Sequence, residues 1–147
     1  MLINGTYLVA SDREHCYKSL QNPSVLESCM PGCQGLIKIG EDEYEMKLKM
    51  MLASMSALFN GRVKIADQQF PHSFRLIVEG IGKIGFLKGD GLLNLTTQGP
   101  ETLVSYTGEV NVGGTIASVG NRLLDTTSRM LIKRFFNKLS TVLQKPN

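Results

Sequence analysis

The stretch GIGKIG at residues 80–85 has the spacing G-x-G-x-x-G, which lets a backbone close around a dinucleotide's pyrophosphate. That chemistry needs a strand ending at the first glycine and a helix opening at the last, so that the helix N-terminus faces the phosphates. Here Gly80 and Gly82 fall inside a run of period two, and the FLKGDGLLNLT after Gly85 carries no helical stripe. No dinucleotide site is expected. Other reactive groups are sparse. His15 lies beside Cys16 and His72 in the turn FPHS, each alone in sequence. Cys29 and Cys33 flank Met30-Pro31-Gly32 without the second pair or nearby histidines of a zinc site, so no metal is expected. G-x-S-x-G, P-loop and H-E-x-x-H patterns are absent. Arg122 and Asp125 read as a surface ion pair one helical turn apart.

The more informative chemistry is apolar. YEMKLKMML alternates, with Met46, Leu48 and Met50 on one face against Glu45, Lys47 and Lys49. Phe59 and Val63, Phe74 and Val78, and Tyr106 and Val110 continue that buried face along later segments. Gly80, Gly82 and Gly108 occupy the same face, where a missing side chain weakens a strand and leaves room beside its backbone. Methionine suits a surface that must adapt to varied shapes. Tyr106 offers one hydroxyl among apolar neighbours, suited to orienting a carbonyl or quinone oxygen. By pattern alone these positions either line a cavity for a hydrophobic molecule or pack one another and the last helix into a solid core.

The elements that would hold such a wall can be read in order. INGTYLVA is a first strand. Ser11 and Glu14 stand at capping-box spacing before a short helix through REHCYKSLQ, and Asn22-Pro23 starts a second helix that MPG stops near Met30. Six strands with short turns follow, implying an antiparallel meander. From Ile116 the period changes again: Ile116, Gly120, Leu124, Thr127, Leu131, Phe135, Leu139 and Val142 form the stripe of an amphipathic helix of about 28 residues. Gly120, Leu124, Thr127 and Leu131 are its expected contribution to the cavity.

At 147 residues with 42% apolar content, the chain is expected to be one domain, 1–147, able to fill a core without disulfides. Its net charge of +3 is uneven. Residues 1–113 hold 10 Lys/Arg and 12 Asp/Glu, whereas residues 114–147 hold 6 Lys/Arg against Asp125 alone. Arg129, Lys133, Arg134 and Lys138 therefore read either as a solvated helix face or as a surface for an acidic partner or an anionic membrane. With no Trp and no aromatics among the basic residues, nucleic acid is not an expected partner. MLINGTYLVAS has neither a cationic leader nor a long apolar run, and three cysteines fit reduced thiols, so a cytoplasmic protein is expected.

This order of elements is similar to the START-like, or helix-grip, fold: an α+β architecture in which a curved seven-stranded antiparallel sheet wraps a long C-terminal helix. MPGC at 30–33, GIGKIGFLKGDGLLNL at 80–95 and VNVGGTIASVGNRLLDTTSRMLIKRFF at 110–136 resemble the carbon monoxide dehydrogenase G-subunit (CoxG) family. The resemblance implies a non-catalytic accessory protein of molybdenum hydroxylases, recruiting the enzyme to the cytoplasmic membrane. It also implies a cavity for a lipid- or quinone-like molecule and no metal cofactor of its own. Family members often continue into a membrane-directed tail. This chain stops at LQKPN, so membrane contact is expected from the domain surface. Two alternatives stand beside this reading. In one, the same cavity is the active site of a cyclase or aromatase, with Tyr106 and His72 as acid–base groups. In the other, the core is solid and the protein is an interaction module.

Overall fold

The computed structural model describes residues 1–52 and 54–144. Strand β1 (Leu2–Val9) leads into helices α1 (Arg13–Ser19) and α2 (Pro23–Cys29). Six strands follow: β2 (Cys33–Gly40), β3 (Glu43–Leu52), β4 (Met55–Gln69), β5 (Ser73–Gly82), β6 (Gly85–Gln98) and β7 (Glu101–Gly113). A short 3₁₀ turn (Thr115–Val119) precedes the long helix α3 (Asn121–Gln144). The sheet is antiparallel throughout with order β1-β7-β6-β5-β4-β3-β2, so β1 closes onto β7 and leaves β1 and β2 as edges.

Local chemistry accounts for the element ends. The side chain of Asn22 accepts from the N–H groups of Ser24 (2.9 Å) and Val25 (3.4 Å), and Pro23 opens α2. Met30 caps the helix in an extended conformation, as the following Pro31 requires. At α1 the cap is Asp12, whose carboxylate accepts from His15 N–H at 3.1 Å; the expected Ser11 instead meets the His15 ring at 3.0 Å. Aspartate is already charged for the helix N-terminus, and the hydroxyl one residue earlier is freed for the imidazole.

The long helix starts later than its apolar stripe implies. Gly120 has φ +92°, outside any right-handed helix, so Ile116 belongs to the separate 3₁₀ turn and Gly120 to the joint. From Asn121 the helix runs 24 residues, about 36 Å at 1.5 Å per residue. Lys145, the last residue of the expected helical stretch, lies outside the described residues.

Strand parity sorts the sheet into two faces. Tyr44, Met46, Phe59, Val63, Ile65, Phe74, Leu93, Leu95 and Val104 are buried on the face towards α3, while Glu45, Lys47, Asn60, Arg62, Glu79 and Lys88 are exposed on the other. The inward side chains form two apolar clusters. A larger one, under α1, α2 and the C-terminal half of α3, contains Tyr17, Phe74, Leu95, Phe136 and Leu139. A smaller one, at the β3–β4 hairpin end, contains Leu52, Ala57, Phe59, Ile116 and Leu124.

Candidate functional site

Between the sheet and α3 lies a cavity of about 320 Å³ with an almost wholly apolar wall. Its position follows from the divided core. Met46, Val63, Val78, Val110 and Leu131 belong to neither cluster, and all five border the cavity. The floor is nearly bare backbone. Gly89 pairs with Val78 and Val110, and Gly91 pairs with Leu76 and Gly108, placing three glycines side by side on the inner face. A Cβ at Gly89 or Gly91 would meet nothing nearer than 3.7 or 3.6 Å, so space is left there. On the opposite side, Leu131, Ile132, Phe135 and Phe136 descend from α3. Leu20, Leu26, Met30 and Leu36 bring in α1, α2 and β2.

Of the residues expected on this wall, Met46, Val63, Phe74, Val78, Tyr106, Gly108, Val110 and Leu131 are brought together. Leu48, Met50, Phe59 and Leu124 pack instead in the hairpin-end cluster, because they point inward beyond the reach of the hollow. Gly80 and Gly82 do not open space: Leu87 leans over Gly80 at 3.3 Å from where a Cβ would stand, and Phe59 covers Gly82 at 3.1 Å. Gly120 lies in the joint before α3, and Thr127 is not on the wall. Sequence parity found the inward face. Gly89 and Gly91 of GDGLL also stand on that face, as glycines that take side-chain volume out of it; what sequence parity missed is what α1 and α2 supply.

Tyr106 contributes a ring. Its plane stacks on Phe136 (6.1 Å, 18°), which also stacks on Tyr7 (5.2 Å, 16°). The phenol reaches across Gly5 of β1, its oxygen 2.5 Å from where a Cβ would stand. The hydroxyl is thus carried towards the β1 edge and away from the glycine floor. His72 lies in the β4–β5 turn with its Nδ1 3.3 Å from Arg13 Nη1, off the cavity wall. The two acid–base candidates are not brought to one surface.

Burial raises the pKa of two thiols in the interior. Desolvation, with the Asp12 charge second, pushes the Cys16 thiol up to about 12. Cys29 is also raised, first by burial, with Ser28 and Lys138 opposing. Among the described residues no group of three or more His, Cys, Asp or Glu comes together. On α3, Arg129 donates to Asp125 at 2.9 Å, so the ion pair of Asp125 is with the residue one turn later rather than with Arg122. Lys133, Arg134 and Lys138 are exposed on the helix face turned from the sheet. No described helix is long and apolar enough to cross a membrane.

A second, larger concavity of about 800 Å³ lies on the outer face of the sheet. Its lining mixes the charged side chains Glu45, Arg62, Glu79 and Lys88 with Ile37, Ile81 and Phe86. The inner cavity is therefore the candidate site.

Sheet, gripping helix and intervening cavity define a START-like, helix-grip protein. The chain belongs to the carbon monoxide dehydrogenase G-subunit (CoxG) family, whose profile matches residues 5–144. It is similar to a conserved protein from Geobacillus kaustophilus, with 30% identity over 97% of this chain and 95% of that one and a TM-score of 0.93. A START superfamily protein from Mycobacterium smegmatis shares the fold at 12% identity, covering 97% of each chain with a TM-score of 0.73. A Streptomyces aromatase/cyclase shares it at 10% identity, covering 98% of this chain and 93% of that one with a TM-score of 0.67. Curated protein sequences give no match.

Proposed function

We propose that this chain is a non-catalytic accessory protein of a carbon monoxide dehydrogenase-like molybdenum hydroxylase. It holds a lipid- or quinone-like molecule between sheet and α3 and helps bring the enzyme to the inner face of the cell membrane. The whole chain, 1–147, acts as one domain, and the solvent face of α3 around Arg129, Lys133, Arg134 and Lys138 meets the acidic partner or membrane surface.

The observation that supports this most is the apolar cavity floored by Gly89, Gly91 and Gly108. Such a wall gives little purchase to a polar substrate but stabilises a hydrocarbon by about 0.8 kcal/mol per buried methylene. The aromatase/cyclase neighbour invites a catalytic reading. Against it, Tyr106 stands without His72 on the wall, and its hydroxyl points to the β1 edge.

Thermal denaturation with decylubiquinone tests the ligand reading. Binding to the folded chain adds RT ln(1 + [L]/Kd), about 2.7 kcal/mol at a hundredfold excess over Kd. An unchanged midpoint at saturating quinone, together with only apo mass in native mass spectrometry after incubation with membrane lipids, would sink it. Co-purification with hydroxylase subunits tests the partner.

A further inference from the structure

The hairpin end of the sheet exposes large apolar side chains on its outer face. Met51, Leu58 and Ile81 are each more than 60% exposed, and Phe86 is 44% exposed. Strand register makes them neighbours. Ile81 pairs with Phe86; Leu58, opposite Lys49, stands diagonally beside Ile81, whose β4 partner is Asn60, and Met51, opposite Ser56, stands diagonally beside Leu58. Isolated exposed apolar residues are ordinary, but a contiguous set on adjacent strands marks a contact surface.

The charge around this patch has one sign. Segments 46–60, 80–88 and 110–124, which build this end, contain Lys47, Lys49, Lys83, Lys88 and Arg122 and no Asp or Glu. All five cations are exposed. In strand register the bordering acids, Glu79 and Glu45, stand one row further in, in the series Lys88, Glu79, Arg62, Glu45, where opposite charges alternate and cancel. On α3, Asp125 lies three residues from Arg122 and pairs with Arg129. Arg62 and Glu45 meet at 3.6 Å. Beyond that row Lys47, Lys49 and Lys83 have no acidic neighbour in register among the described residues, and they ring the apolar tips.

From this we infer that the β3–β4 and β5–β6 hairpin end docks on an anionic lipid bilayer. Met51, Leu58, Ile81 and Phe86 enter the interfacial region while the lysines lie among the headgroups. The combination favours a bilayer over a protein groove. Apolar side chains on hairpin ends can enter a soft interface, and lysine stems bury their methylenes while the ammonium stays at the phosphates. This deepens the membrane part of the proposed function and rests on it. It assigns the bilayer to the hairpin end and leaves the basic face of α3 to the protein partner.

The test is co-sedimentation with vesicles of phosphatidylcholine, alone or mixed with phosphatidylglycerol, at low and high salt. The wild-type chain is expected to bind the anionic vesicles at least tenfold more, with the difference shrinking in salt. Lys47→Glu/Lys49→Glu/Lys83→Glu is expected to lose tenfold or more, and Met51→Ser/Leu58→Ser to lose the salt-resistant part. Lys133→Glu/Arg134→Glu/Lys138→Glu is expected to change binding less than threefold. Circular dichroism and fluorescence of anilinonaphthalene sulfonate in the cavity report folding and the inner site separately. Wild-type failure on anionic vesicles, or dependence on the α3 set in place of the hairpin set, overturns the inference and leaves the cavity untouched. Vesicle binding in a protein whose cavity takes no probe overturns the carrier reading and leaves this one standing.

Discussion

Gly91 of β6 stands opposite Gly108 of β7 on the inner face of the sheet, and their pairing removes two adjacent side chains from beneath α3. A Cβ fits beside Gly91 without a clash, its nearest neighbour Thr107 O at 3.6 Å, whereas one at Gly108 would press on Asp90 O at 3.0 Å. The cavity can therefore be filled from one side of the pair without rebuilding the strand.

Gly91→Leu should abolish quinone-induced stabilisation while leaving the unliganded midpoint unchanged or higher. The smaller change Gly91→Ala should raise stability by about 0.4–1 kcal/mol, because the backbone there is compatible and the unfolded chain loses freedom. Thermal denaturation with and without decylubiquinone reads both effects. Full stabilisation by quinone in the leucine variant would place the ligand elsewhere.

Much of this arrangement is legible in the residues. YEMKLKMML declares its wet and buried sides, and the same parity carries through to Val104 and Tyr106. Asn22-Pro23 and MPG bound α2 as the helix rules require. What fails is whatever depends on a neighbour far along the chain. Gly80 and Gly89 look alike in sequence, yet Leu87 crowds the place beside one at 3.3 Å, while at the other a Cβ would meet only ordinary contacts, the nearest Val110 Cγ2 at 3.7 Å. The stripe from Ile116 onward matches a helix because a 3₁₀ turn also buries Ile116, and spacing alone does not reveal the φ of Gly120. Leu20, Leu26 and Met30 escape notice because periodicity does not say where two short helices come to rest.

Gly120 and Gly35 separate backbone strain from crowding. A Cβ would meet nothing within 4 Å at either, but only Gly120 has a positive φ. Gly120→Ala should cost about 1–3 kcal/mol, the range for a residue held in a sparsely populated conformation. Gly35→Ala should be neutral or slightly stabilising. Urea denaturation of the two variants decides it, and equal effects would contradict the backbone described at the start of α3.

Phe136, 4% exposed, is the hub of the ring cluster, stacked on Tyr7 and Tyr106 and meeting Phe135 edge-on at 5.3 Å. Phe136→Ala should cost about 3–5 kcal/mol. Near-ultraviolet circular dichroism should lose its tyrosine signal in the folded variant. A loss below about 1 kcal/mol would mean the cluster is not packed as described.

Cys16 gives a pH test with a definite sign. Its folded thiol is raised to about 12 from an ordinary 9.0, so the folded chain keeps a proton that the unfolded chain releases. The contribution is complete below pH 9 and is lost as pH rises through 12, with stability falling by about 1.4 kcal/mol per unit between. Cys16→Ala should flatten the alkaline slope by about one proton between roughly pH 9 and 10.5. Cys29 and Tyr17, also raised by burial, keep some slope in the variant. Denaturant titrations at stepped pH measure it, and an unaltered slope would refute the assignment.

The division of the interior into two apolar clusters bears on how the molecule comes apart. With the hollow empty, the two ends are joined chiefly by the strands and the helix α3 running between them, so amide exchange should resolve two protection classes, the hairpin end opening first. A guest lodged between them would serve as the missing keystone and merge the two openings into one.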